Sequence, residues 1–564
     1  MPVLAIHHQV LNPTGSLIGS TLLALVPVAF LLVMLAVFRV TAWLSVLLGS
    51  ILTFVLGVFV WHAPIDTSFK AYLYGSLTGV WAVDWITFWG VVIFYTLQFT
   101  GLFENFEAWL VAQATSDIRI QTILLAWAFG ALLEGLVGFG YPWAVVAPLL
   151  IAFGVAELDA IRVAAIANNA PVSYGALGAP IIALAAVTQI PLLTLSASVG
   201  KIVAVLALLP PFVLIYLVSG WRGLRTGWPL AIVGALAYIA GQFPTSQFLG
   251  PYLPDVVGSL VCFAALLLLL RVWRPRDVLG YGGVVMGEGR GPLSDAFGRR
   301  RILGGSTPAA PASPEGRELS GRELWMALLP FIILIAVVVL WTGPWSGLPK
   351  YVPYKASVVA ASSLTGKNVT SAFMWAPFIA GTAILASWIL ILAVARPSLA
   401  TLGAIFKKTF QQMWGALLVG FFIFGLAYVF IYSGMSNTMA YGFSKLGLFF
   451  LVLAPILGWI GVALSGSNTS TNTLFGAFQL AVGKLLGVPL LLLPSLNSVG
   501  AEVGKPVAPQ TTSVGVSTTS YVRNEGAAIR HNMGWTLVLL GYLIVIGLLY
   551  FFVFPGAMHF TLTK

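Results

Sequence analysis

The chain has 564 residues, of which 59% are hydrophobic and only 8% charged. Soluble domains carry about 25% charged and about 45–50% apolar residues, so a soluble enzyme, a secreted disulfide scaffold and a disordered chain are all excluded. The net charge of +11 does not point to nucleic acid, because nine of the 28 Lys and Arg residues lie between Arg271 and Arg322 and most others close apolar runs, as in loops that orient a membrane protein.

A hydrocarbon core about 30 Å thick needs about 20 apolar residues per helix, which leaves room for about 12–14 crossings. The expected fold class is an all-α polytopic membrane protein. The first apolar run, Leu17 to Phe38, exceeds the core of a signal peptide, and no Lys or Arg precedes it. It reads as a retained crossing, with Arg39 as an inside anchor and the N-terminus outside. Further spans are predicted over 41–61, 80–103, 197–219, 228–243, 253–271, 324–343, 371–395, 409–432, 447–464 and 534–554. Many end in Trp or Tyr, as an interfacial belt would.

Between them, 273–323 is rich in Gly, Pro, Ser and Arg and contains Arg299-Arg300-Arg301. It reads as a flexible cytoplasmic loop, compatible with anionic lipid, between a first transmembrane half (1–272) and a second (324–564). The Lys407-Lys408 pair is expected on the same side. Cys262 is alone, which excludes an intrachain disulfide, and the five histidines lack metal-ligand spacing. Neither a metal nor a cofactor is expected.

Two stretches, 121–185 and 465–521, are too dense in Gly, Pro, Ser, Thr and Asn to be simple helices. Irregular backbone at membrane depth survives only inside protein or along a water-filled cavity. One such stretch in each half predicts paired discontinuous or re-entrant helices, the arrangement in which carriers bind substrate. Glu134 precedes Asn168 by 34 residues and Asn468 precedes Glu502 by 34, which suggests an internal repeat.

Glu134 lies in Glu134-Gly135-Leu136-Val137-Gly138-Phe139-Gly140-Tyr141-Pro142. A carboxyl taken out of water favours its protonated form, and a proton carrier needs that property. Asp84 is flanked by Trp81 and Trp85 and reads as an interfacial, solvated residue. Ser465 to Thr473 is an uncharged polar run expected to form a buried tip rather than an exposed turn. There Ser467, Asn468, Thr469 and Ser470 offer donors to a carboxylate, or carbonyls to a cation. Lys505, between Gly504 and Pro506, is a point charge for an anionic substrate, the ion-pair partner of Glu502, or a side chain that snorkels to the interface. Gln510 and its neighbouring hydroxyls extend the same polar wall. No nucleotide-binding loop, nucleophile elbow or His-Glu-x-x-His motif is present, which leaves transport driven by ion gradients. An anion channel would need a polar stripe continuous through several spans, whereas polarity here is concentrated in two breaks.

These stretches resemble the L-lactate permease family of bacterial and archaeal carriers. Glu134-Gly135 with Gly138-Phe139-Gly140 and Pro142 is similar to that family's first element. Asn169-Ala170-Pro171-Val172 with Gly175-Ala176, Gly178 and Pro180 is similar to its second. Gly220-Trp221-Arg222-Gly223, Leu253-Pro254-Asp255, Tyr432-Ser433-Gly434, Gly466-Ser467, Gly504-Lys505 and Pro509-Gln510 fit further blocks. The resemblance covers nearly the whole chain apart from 273–323 and the region near 344–370. It implies a multi-pass plasma-membrane carrier that imports lactate or glycolate with protons. Glu134 would carry the proton. Gly138, Gly140, Asn168, Asn169, Ser173, Ser467, Asn468, Thr469, Ser470, Lys505 and Gln510 would form the substrate site. Asn468 stands where relatives commonly have Asp. Ser467-Asn468-Thr469 also resembles a motif of sodium-coupled carboxylate carriers, which leaves sodium as an alternative coupling ion.

Overall fold

The computed structural model describes residues 6–113, 116–138, 140–286 and 320–560. Helices dominate, and among the described residues ten stretches are long and apolar enough to cross a membrane, or eleven counting the bent pair Glu157–Ala167 and Val172–Thr188. Three of them, Ile65–Phe99, Leu192–Phe248 and Leu399–Ser433, have 35 residues or more. The run Leu192–Phe248 has 57 residues, and at about 1.5 Å per residue it far exceeds a core about 30 Å thick. Helix Leu192–Leu206 ends inside it, and Pro210-Pro211 start a new helix, where the missing N–H of proline does no harm. The span expected over 197–219 is therefore two pieces. Gly220, at φ 63° and ψ −167°, breaks the run again in a region only glycine occupies readily. A single run, Ile65–Phe99, contains helix Ile65–Thr78 and most of the predicted 80–103 span, stopping at Phe99.

The expected span 371–395 is corrected as well. Its start is a strand, Asn368–Trp375, and only Ala380–Ala395 is helical. The strand pairs antiparallel with Tyr354–Ala361, and His7–His8 adds a third, parallel strand beside Ala360 and Ala361. This sheet lies against helix Ile65–Thr78, with the Trp81 indole donating to the Ala376 carbonyl at 3.1 Å. The N-terminal segment is tied to the same end. The Gln9 amide donates to the carbonyls of Ile431 at 2.8 Å and Tyr432 at 3.0 Å.

Helix Leu399–Ser433 starts at a Ser398 cap and ends at Gly434 in a left-handed conformation, a common helix stop. It crosses Ile65–Thr78 and the π-helical turn Gly79–Asp84 almost backbone to backbone. A Cβ on Gly79 would lie 2.6 Å from the Gly420 carbonyl, so small residues set this approach.

The beginning of the central segment is docked. Leu279 accepts from the Ile118 backbone N–H at 2.9 Å and donates to Asp117 at 3.1 Å. The buried Arg119 binds Asp117 and the Asp277 carbonyl, both at 2.5 Å. A buried guanidinium needs this set of partners, and the chain beyond them folds back so that the Met286 N–H donates to the Val278 carbonyl at 2.9 Å. The triplet Arg299-Arg300-Arg301 lies outside the described residues.

Candidate functional site

Each half contains a helical hairpin followed by a broken helix. In the first half, helix Gly130–Leu136 stops, the chain passes Gly138 (φ 68°) and Gly140 (φ 75°), and helix Tyr141–Ala152 begins. Helix Glu157–Ala167 then breaks at Asn168–Pro171 and resumes at a 66° angle. Ala176, Leu177 and Gly178 are left-handed within the resumed part. In the second half, helix Phe450–Ser465 turns at Gly466 (φ 71°) into Asn468–Leu486. Helix Leu492–Gly504 then breaks at Lys505–Val507 before Pro509–Val516.

The halves interlock. Gly175–Thr188 packs on Asn468–Leu486, and Pro509–Val516 packs on Tyr141–Ala152. A Cβ on Gly140 would come within 2.6 Å of the Thr511 side chain, so that glycine is required by both its φ and its neighbour.

Most of the polar run 465–473 is a buried helix start, with Asn468 and Ser470 to Thr473 all buried. Only Gly466 and Ser467 leave helical geometry, and the Ser467 hydroxyl accepts from the Ser470 N–H at 3.1 Å as an N-cap. The Thr471 and Thr473 hydroxyls donate back to the carbonyls of Ser467 and Thr469 at 2.9 and 2.8 Å. Hydroxyls bonded one turn back sit inside a helix without exposing a free polar group.

At the crossing of the breaks, Glu134 and Lys505 are 2% and 5% exposed. The Lys505 ammonium lies 2.5 Å from Glu134 Oε1, and the Asn168 amide donates to Oε2 at 3.1 Å. Such a pair withstands burial only when further hydrogen bonds support it. Pairing of Lys505 with Glu502 is thereby corrected. Glu502, three residues earlier on the last turn of its helix, accepts from the Ser173 backbone N–H at 2.6 Å. The Ser173 hydroxyl meets Ser498 at 3.0 Å. Asn468 donates to the Ser498 carbonyl at 3.1 Å, and Asn472 to the Ser498 hydroxyl and the Pro180 carbonyl, both at 3.0 Å. Asn169 is fully buried, and its amide atoms have no hydrogen-bond partner among the described residues.

Two cavities meet here. One of about 60 Å3 is lined by Glu134, Gly138, Ser467, Asn468, Thr469 and Lys505 among others. A second of about 350 Å3 has apolar walls from Leu31, Trp43 and Ile423 and a polar end at Ser470 and Gln510. Thr87, Gly466, Ser467 and Thr469 line both. Of the residues expected from sequence, six therefore line the small cavity, and Ser470 and Gln510 line the large one. Gly140, Asn168, Asn169 and Ser173 line neither; Asn168 and Ser173 hold the acids, and Gly140 permits the packing.

Asp84 was expected at the interface but is 7% exposed and lines the large cavity. Trp81 and Trp85 stack on each other at 5.3 Å, and the carboxyl points instead at Gly420. Thr87, Asp255 and Ser498 were missed as site residues. Asp255 packs against Gly135, beside Glu134, and accepts from the Tyr238 hydroxyl at 2.9 Å. Its burial inside a proline-started helix left only Leu253-Pro254-Asp255 as a signal. Among the described residues no group of three His, Cys, Asp or Glu could hold a metal ion.

A family model for L-lactate permease matches residues 20–555. Glycolate permease GlcA of Escherichia coli (strain K12) is 32% identical over 97% of this chain and 98% of its own length. The L-lactate permease of Bacillus subtilis (strain 168) is 31% identical over 96% and 97% respectively. The L-lactate permease of Escherichia coli (strain K12) is 30% identical over 94% and 96%. With its membrane-length helices and a polar site enclosed between two broken segments, the chain is a multi-pass membrane transporter, not an enzyme, and it belongs to the L-lactate permease family.

Proposed function

We propose that the protein imports a short 2-hydroxymonocarboxylate, lactate or glycolate, by proton symport across the plasma membrane. The observation that carries this reading is the buried Glu134–Lys505 pair on the wall of the small cavity. An ammonium has three donors, and Glu134 is the one side-chain partner of Lys505 among the described residues. While Glu134 is ionised it occupies the lysine. Once Glu134 takes a proton, the ammonium is free for a substrate carboxylate. The first-turn N–H groups and hydroxyls after Ser467 supply further donors, and a helix start favours negative charge. A charge buried without a partner is costly, so the lysine is filled in turn by Glu134 or by the anion, and proton and substrate move together. Purified protein in liposomes should accumulate labelled lactate and glycolate under an inward proton gradient at equal sodium. Accumulation driven by sodium alone, at equal pH, would replace the proton as coupling ion. Dissipative flux without accumulation would indicate a channel.

The same reading includes an orientation. Lys407 and Lys408 lie near the start of helix Leu399–Ser433, and Gln9 is bound at its other end. The separation of some two dozen residues is about 36 Å along a helix, enough to span the core. Positive charge then places the lysine pair in the cytoplasm and the N-terminus and sheet outside. Cys262 is buried and gives little background for thiol labelling. An impermeant thiol reagent should reach Lys367→Cys, in the sheet's turn, in intact cells. It should reach Val284→Cys, at a site 65% exposed, only after permeabilisation; the reverse pattern would invert the topology.

A further inference from the structure

The wall of the large cavity holds a carboxyl that the cycle above does not use. Asp84 closes the π-helical turn Gly79–Asp84, and wide turns of this kind recur at functional sites. The side chain is more than nine-tenths buried, and Oδ2 has no hydrogen-bond partner among the described residues. Gly420 stands opposite, where any Cβ would collide with the carboxyl oxygens. One turn further on, Thr87 lines both cavities, so Asp84 borders the approach to Lys505.

Among the described residues no charged side chain compensates it. On the helices packed around it, Asp66, Lys70, Lys407 and Lys408 lie three or more turns away, and Tyr72, Tyr74, Tyr95, Tyr428 and Tyr432 at least two turns away. Gly175–Thr188 carries no titratable group, and Ser465, Ser470, Gln510 and Thr511 across the cavity are neutral. An ionised Asp84 would therefore repel an incoming carboxylate across a cavity whose walls are largely apolar.

We propose that Asp84 is a second protonatable carboxyl of the transport cycle, which must hold a proton before the substrate anion can pass from the large cavity to Lys505. The proton adds to a carboxylate oxygen from water and returns to water after release; no other bond changes. This inference rests on the proton-symport reading and adds one proton to the binding step.

The test is the half-saturating lactate concentration for counterflow exchange in liposomes, measured across pH with no gradient imposed. Each proton that must bind first makes this value rise about tenfold per pH unit on the alkaline side, because the competent fraction falls by that factor. The wild type should show a two-proton slope and Asp84→Asn a one-proton slope. Asp84→Ala carries the same expectation where an amide is not tolerated beside Gly420, since it leaves only empty space, and thermal unfolding in detergent checks that either variant is folded. A slope in the variants equal to that of the wild type would overturn the role of Asp84 while leaving symport intact. A wild type with no slope and no proton-driven accumulation would overturn the symport reading itself.

Discussion

Lys505→Ala is expected to raise the half-saturating substrate concentration at least about tenfold. Losing a charged hydrogen bond is worth about 1.5–3 kcal/mol, or roughly 10–150-fold in affinity. The variant also leaves Glu134 buried without its 2.5 Å partner, and breaking a buried pair from one side costs about 3–5 kcal/mol of stability. These two effects separate in the double variant Lys505→Ala/Glu134→Ala. Removing both charges should return the thermal unfolding midpoint towards the wild type, whereas the half-saturating concentration should stay high because no cation remains for the anion. Recovery of transport in the double variant would mean that the lysine only neutralises Glu134, and the anion site would move to the first turn after Ser467.

Glu134→Gln should break coupling and spare binding. The amide keeps an oxygen for Asn168, which donates at 3.1 Å in the wild type, and it cannot ionise to reclaim Lys505. The lysine is then permanently open to substrate. Lactate–lactate exchange should persist within several-fold of the wild type, while accumulation under an imposed proton gradient should fall well below the wild-type level, keeping at most the share driven by the proton of Asp84. Both are read in the same liposome preparation. Gradient-driven accumulation near the wild-type level would remove Glu134 as the proton carrier.

The two breaks were legible because Gly, Pro, Ser, Thr and Asn crowd them between long apolar runs, and Glu134 and Lys505 were each visible as a charge inside such a break. Their pairing was not, since it joins positions 371 apart and no spacing within one half points to a partner in the other. Glu502 was the nearer candidate along the chain, but the turn at Lys505–Val507 sends the lysine to one side and leaves Glu502 to Ser173. The burial of 465–473 was legible, but not that most of it is helical, because composition does not reveal that hydroxyls can bond back to helix carbonyls. The strand Asn368–Trp375 merged with the apolar helix after it, since both are rich in the same side chains. Asp84 looked interfacial because tryptophans flank it, while the vacancy that admits it belongs to Gly420, more than 300 residues downstream.

The pairing of an acid from the first half with a base from the second has a consequence for heredity. Neither residue can be lost alone without stranding the other in a low-dielectric interior, so selection acts on the two codons as one trait. A crossover in the central segment between two relatives would keep the pair only where one parent supplies the acid and the other the lysine, and would otherwise leave one charge buried alone.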